Sequence, residues 1–282
     1  MDPVCFATAY VDLTRRRLET PPVAPSASAD PVDHVAPPSQ AKPPRFDPQI
    51  LARQAFHVLG SVVPAVAGGA PVALAVAAEV GRSLGESGVA EAEVKVRGSS
   101  GRPDPSLRAA LPALKRVFGR VLTQSTARAE LVAWGRPSEA SALGQTVFVG
   151  QKLLRHAHDE SKLAYILAHE LAHVERRDSA GLLGVMALGE MVQDDVTGRQ
   201  WETMERSYSH TVEFEADRRA SEMVARLGYD PLPILEMVLN ADHDGDHPAG
   251  LARARVIHDV FGACGRPISS ADWKRLTRKG EG

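Results

Sequence analysis

The chain has 282 residues, 44% hydrophobic and 24% charged, enough apolar material for a sizeable buried core. Its 33 basic and 35 acidic residues give a formal net charge of −2, which removes the electrostatic case for nucleic-acid binding. Two cysteines at opposite ends, Cys5 and Cys264, are too few for a disulfide framework and fit a reducing compartment.

Residues 1–48 hold ten of the twenty prolines, mixed with Ser, Ala and Asp, and predict a disordered arm. Met1-Asp2-Pro3 opens without a basic n-region or a long apolar h-region, so a cytoplasmic location is expected. Residues 49–127 read as a mainly helical N-terminal part of the domain that follows. Within them, Ala55 to Ala78 carries no formal charge and has membrane length, which makes membrane association through residues 55–78 the alternative. Pro64, Gly68, Gly69 and Pro71 interrupt it and no aromatic belt flanks it. Two short helices are therefore predicted, with Val72, Leu74 and Val76 packing on the core. Strands are predicted at Glu93–Arg97, Glu130–Trp134 and Thr146–Val149. Ser106–Thr123 predicts a helix whose buried face is Leu111, Leu114, Val117, Phe118 and Val121. The expected class is α+β, predominantly helical, with a small β-sheet, and an exposed edge of that sheet could take an extended peptide as an added strand.

The run Leu163 to Glu175 contains His169-Glu170-Leu171-Ala172-His173. Residues four apart on a helix share a face, so both imidazoles can reach one cation at roughly 2.0–2.1 Å while Glu170 is turned about 100° towards a metal-activated water. Leu163, Ala164, Ile166, Leu167, Ala168, Leu171 and Ala172 mark the helix as buried. Two His and a Glu in that setting need partners, and zinc, one per chain, satisfies them. Tyr165, one turn earlier, is expected to pack with its hydroxyl satisfied, and His156 and His158 to lie at the surface. Gly181–Val192 is apolar but too short to cross a bilayer, and predicts a helix beside the site.

A catalytic zinc requires a third protein ligand. Ser179 and Arg176 stand where a metzincin needs His and Gly, and Met191–Thr197 offers only Asp194 and Asp195 as acids where thermolysin-like enzymes place a Glu. Farther on, Glu213 and Asp217 are four apart in Tyr208-Ser209-His210-Thr211-Val212-Glu213-Phe214-Glu215-Ala216-Asp217, so one can bind metal and the other can accept a hydrogen bond from a ligating imidazole.

Four parts in order, His169 to His173, Glu213 to Asp217, Gly228-Tyr229-Asp230-Pro231, and His247-Pro248 with Arg253, resemble the HtpX-like gluzincin zinc metallopeptidases, the family that includes the type I CAAX prenyl endopeptidase. The resemblance covers about residues 128–262. It implies a zincin-like metallopeptidase core, placed here at residues 128–265, followed by a basic tail over 266–282. It also implies Glu213 as third zinc ligand and Asp217 as the group orienting an imidazole, expected to be that of His169. Two departures are Ala140-Ser141-Ala142-Leu143, where relatives carry an Asn-Ala-x-Ala segment, and His210, where an Arg is common.

The implied activity is endoproteolysis of polypeptides in protein quality control or regulated proteolysis, with Glu170 as general base. Candidates for an oxyanion donor are His247, Arg253, His243, Tyr208 and His210. His247 sits in the polar loop Ala241–Pro248 and could instead be a removable fourth ligand. The alternative function is a chaperone-like or binding module with a closed zinc site, against which the intact Glu170 weighs.

Overall fold

The structure is a computed structural model that describes residues 70–99, 101–136, 138–192, 198–241 and 248–279. The Pro-rich arm, residues 55–69, and the loop residues 242–247 with His243 and His247 lie outside the described residues, as do the side chains of Val72, Leu74 and Val76.

Two helices open the described chain, α1 (Ala70–Leu84) and α2 (Glu86–Ser99). The second corrects the strand expected at Glu93–Arg97. The alternation of Val94 and Val96 with charged residues suggests a period of two, yet the positions that pack are Val89, Ala92 and Val96, which is helical spacing, while Val94 is 70% exposed. Glu91 with Lys95 at 3.3 Å and Glu93 with Arg97 at 3.0 Å add pairs four residues apart that only a helix makes.

Helix α3 (Pro105–Leu122) starts where expected because Asp104 accepts from Ser106 N–H at 2.8 Å and Pro105 occupies the first turn. Leu107, Leu114, Val117, Phe118 and Val121 are its buried stripe. Leu111, expected among them, is partly buried against the same core.

Three short strands follow, β1 (Glu130–Ala133), β2 (Ala140–Leu143) and β3 (Thr146–Val149), in the order β1-β3-β2. β3 is central, parallel to β1 and antiparallel to β2, with Ala142 opposite Val147. The hairpin closes through Gly144 at φ 59, a left-handed conformation that glycine adopts without a Cβ penalty. All four residues of β3 are buried, as befits a strand covered on both faces. Trp134 and Phe148, ring centroids 5.5 Å apart, join Val89, Leu143, Ala180 and Leu183 in a small second core.

Helix α4 (Glu160–Arg176) carries the His-Glu-x-x-His sequence through the main core. Asp159 caps it, accepting from Ser161 N–H at 2.9 Å and Lys162 N–H at 3.1 Å. Its far end stops at Arg177, the one non-glycine residue with positive φ (55°) among those described, and α5 (Asp178–Val192) begins at the next residue. Helix α6 (Gly198–Arg226) packs along α4. It ends at Gly228, φ 83, where Tyr229 N–H donates to Val224 O and Gly228 N–H to Ala225 O. Asp230 then caps α7 (Pro231–Leu239), with Pro231 in its first turn, so the Gly-Tyr-Asp-Pro sequence is a helix stop followed directly by a start. Helices α8 (Gly250–Ala263) and α9 (Ser270–Lys279) complete the fold.

Helices α1 and α5 meet at glycines. A methyl group on Gly81 would overlap the backbone of Ala180 and Gly184, and one on Gly184 would overlap the carbonyl of Ala77, so the two backbones touch. Among the described residues no helix is long and apolar enough to cross a membrane.

Candidate metal centre

Helices α4 and α6 each turn two polar residues, four apart, into the seam between them. His169 and His173 come from α4, Glu213 and Asp217 from α6, and all four are buried. The imidazole Nε2 atoms are 3.1 Å apart. Glu213 Oε2 lies 3.3 Å from His169 Nε2, and its Oε1 lies 3.4 Å from His173 Nε2.

These separations test whether a metal fits. Ligand bonds of about 2.0–2.1 Å at tetrahedral angles put neighbouring donor atoms about 3.3–3.4 Å apart, close to the spacing here. The protons on the rings give the same answer. His173 Nδ1 lies 2.9 Å from Asp178 Oδ2, and His169 Nδ1 lies 3.0 Å from Asp217 Oδ1, off the line of a well-aligned hydrogen bond. A carboxylate at each Nδ1 favours the proton there, which leaves two Nε2 lone pairs and a carboxylate facing one another. Such a group repels itself unless a cation sits among its members. His169, His173 and Glu213 therefore have the geometry and chemistry of a zinc-ligand set.

Without metal the missing cation is a proton. Burial opposes the charged imidazole at His173, but hydrogen bonding and charge attraction from Asp178 and Glu213 outweigh it and hold its pKa well above the ordinary value. At His169 burial again opposes, and Glu213 and Asp217 prevail.

Asp217 is the most heavily engaged group of the four. Arg253 of α8 holds it through Nε to Oδ2 and Nη2 to Oδ1, both at 2.7 Å, and the Tyr165 hydroxyl donates to Oδ1 at 2.6 Å. Burial pushes the Asp217 carboxyl up, yet Arg253 first and His169 second drag it far below the usual carboxylate range. Burial and Asp217 together raise the Tyr165 phenol well above its usual value.

Every expected site residue inside the described chain now has a place. His169, His173 and Glu213 converge, Asp217 backs His169, and Glu170 follows His169 on α4 and stays partly exposed. Arg253 reaches the centre through Asp217. Tyr208 lies on the α5 side, beside Gly181, with its hydroxyl buried and no hydrogen-bond partner among the described residues; burial chiefly pushes its pKa to about 12. His210 is half-buried, and its Nε2 likewise has no such partner. Tyr165 packs with its hydroxyl satisfied, as expected, and is tied to the site. His158 is exposed as expected, whereas His156 is half-buried and meets Glu139 at 3.0 Å. Asp178 is the neighbour that sequence reasoning passed over. Its only signal there is an acidic residue just beyond the metal helix.

The ion pairs behind the centre fasten α4 to α6. Arg219 holds Glu175 at 2.7 and 3.1 Å and reaches the Gln124 carbonyl at 2.9 Å. At the other end of α4, Tyr229 donates to Glu160 at 2.9 Å under the guanidinium of Arg120.

Comparison with curated proteins and with solved structures finds no match for this chain. The model of peptidase family M48 matches residues 114–260, from the second half of α3 to α8. That span is more than half of the chain and contains both helices of the His169, His173 and Glu213 cluster, so the chain belongs to peptidase family M48, a family of zinc-dependent metallopeptidases.

Proposed function

We propose that this metallopeptidase is an endopeptidase of the HtpX-like type, acting in quality control or regulated proteolysis, with one zinc held by His169, His173 and Glu213. The observation that carries the reading is the convergence of three lone-pair donors at tetrahedral spacing, with Glu170 on the same helix. Zinc supplies Lewis-acid polarisation of water and of a substrate carbonyl. Glu170 takes the proton of the attacking water and returns it to the leaving amine. His169 and His173 keep their Nε2 lone pairs turned inward because carboxylates hold their Nδ1 sides. Arg253 serves as a positioning residue, since its guanidinium is engaged by Asp217 and keeps that carboxylate ionised against His169. The edge strand β2 lies against α4, where an extended polypeptide could add as a further strand.

Cleavage of an unstructured protein such as casein tests the reading. The parent is expected to cut it at internal bonds and to lose that activity with a chelator. Glu170→Gln should retain zinc while losing at least about 100-fold in rate. A parent that binds no zinc, or a Glu170→Gln variant as fast as the parent, overturns it.

A further inference from the structure

Two carboxylates back the two imidazoles, and they arrive by different routes. Asp217 comes from α6, the helix that also supplies Glu213. Asp178 comes from the next helix along the chain, five residues after His173, and it can reach back only because the chain reverses at a single residue. Arg177 makes that reversal in the left-handed region, with φ 55 and ψ 40, where a side chain other than glycine carries a strain of order 1 kcal/mol. Its amide donates to Val174 O, and its carbonyl accepts from the amides of Ala180 and Gly181, so the outgoing helix starts in the register that aims Asp178 inward. Asp178 is 6% exposed, and its Oδ2 lies 2.9 Å from His173 Nδ1.

We propose that Asp178 is a positioning residue of the metal centre: its carboxylate fixes the ring orientation and Nδ1 proton of His173, and the left-handed turn at Arg177 and the backbone contact of α5 with α1 seat it there. The proposal rests on the zinc reading above. Two further features support it. Ala180, Gly181 and Gly184 follow Asp178 within two turns, and Gly81 and Ala77 of α1 meet Ala180 and Gly184 backbone to backbone, which leaves the start of α5 little freedom to shift or rotate. Arg177 also pairs with Glu86 at the head of α2, at 2.7 Å. Helices α1 and α2 lie outside the segment matched by the family model, and through α5 they bear on the orientation of a ligand. The second oxygen of Asp178 is buried without a hydrogen-bond partner among the described residues, as is the Tyr208 hydroxyl, whose environment includes Asp178. The same Oδ2 also lies 3.4 Å from Nε of Arg176, a longer ion pair, while His173 makes the hydrogen bond to the carboxylate at 2.9 Å.

The test is zinc affinity of the full chain, measured by competition with a chromophoric chelator, together with the visible spectrum of the cobalt-substituted protein. Asp178→Ala is expected to weaken zinc binding by about 10–100-fold and to shift the cobalt bands, since ring orientation is lost. Asp178→Asn keeps an oxygen that accepts from Nδ1–H and should hold zinc several-fold better than Asp178→Ala. Asp178→Glu, with the same charge and a longer reach, should do worse than Asp178→Asn. Circular dichroism and the melting temperature of the metal-free forms establish folding. If Asp178→Ala does not fold, the order of the Asn and Glu variants decides. Zinc affinity of a folded Asp178→Ala within twofold of the parent, or a Glu variant as good as the Asn variant, overturns the proposal. A parent that binds no zinc overturns the zinc reading itself and is recognised before any variant is compared.

Discussion

Asp217 shows how much one buried charge asks of its surroundings. It is 0% exposed and still ionised, because Arg253 clamps it through two nitrogens and Tyr165, one turn before His169 on α4, donates to it. Removing one member of a buried ion pair costs more than the pair contributes, since the survivor stays in the low-dielectric interior unpaired. Arg253→Met is therefore expected to cost about 3–5 kcal/mol in urea unfolding and to weaken zinc retention with it. A loss under about 1 kcal/mol would show that Asp217 finds other support. The imidazoles predict a pH signature. Their pKa values are raised in the metal-free fold, so their protons stabilise it fully below the unfolded value of about 6.5, and that contribution fades as pH rises through the folded values. Zinc needs both rings neutral and binds more tightly as pH rises. The melting temperature of zinc-loaded protein minus that of chelator-treated protein should thus widen from about pH 6 to about pH 8. A constant or shrinking gap would contradict the ligand assignment.

Legibility differed from element to element for physical reasons. Both ligand helices were readable because each bears its polar pair four residues apart within an apolar surround, and α3 because its apolar spacing is regular and Asp104 caps it. Helix α2 was not, because its Val-rich stretch also alternates, and only contacts with Trp134 and Leu143 decide which period is used. Strand β2 escaped notice since Ala140-Ser141-Ala142-Leu143 has little strand preference of its own and pairs because β3 and the Gly144 turn bring it into register. The left-handed turn at Arg177 left no trace in composition, so Asp178 could not be aimed at His173 in advance. The α1–α5 contact makes a testable claim at this scale. Gly184→Ala should destabilise by about 1–3 kcal/mol in thermal or urea unfolding, because the new methyl meets backbone that cannot move aside. Gly262→Ala in α8, with open space at its Cβ position, is the control and should be neutral or stabilising by up to about 1 kcal/mol. Equal effects of the two substitutions would mean that the α1–α5 approach is looser than its geometry.

Across the whole molecule, the matched segment from residue 114 to 260 holds the sheet and both helices of the His-His-Glu cluster, while α1 and α2 brace it from outside, α2 by packing Val89 and Ala92 into the small core around Trp134. The class, predominantly helical with one small sheet, was legible because the apolar periodicities are mostly helical and the strands are short. The bracing was not, because it depends on glycines whose role appears only when a second helix lies against them. The separation of the proposed ligands along the chain has a kinetic consequence. His169 and His173 come together as soon as α4 forms, but Glu213 lies forty residues beyond His173 and joins them only when α6 docks along α4. Local helix formation precedes such long-range docking, because closing the intervening chain has to be offset by contacts made afterwards. On the proposed ligand set, tight zinc capture is expected to come late in folding, with the metal ratifying a finished assembly of the two helices instead of nucleating it.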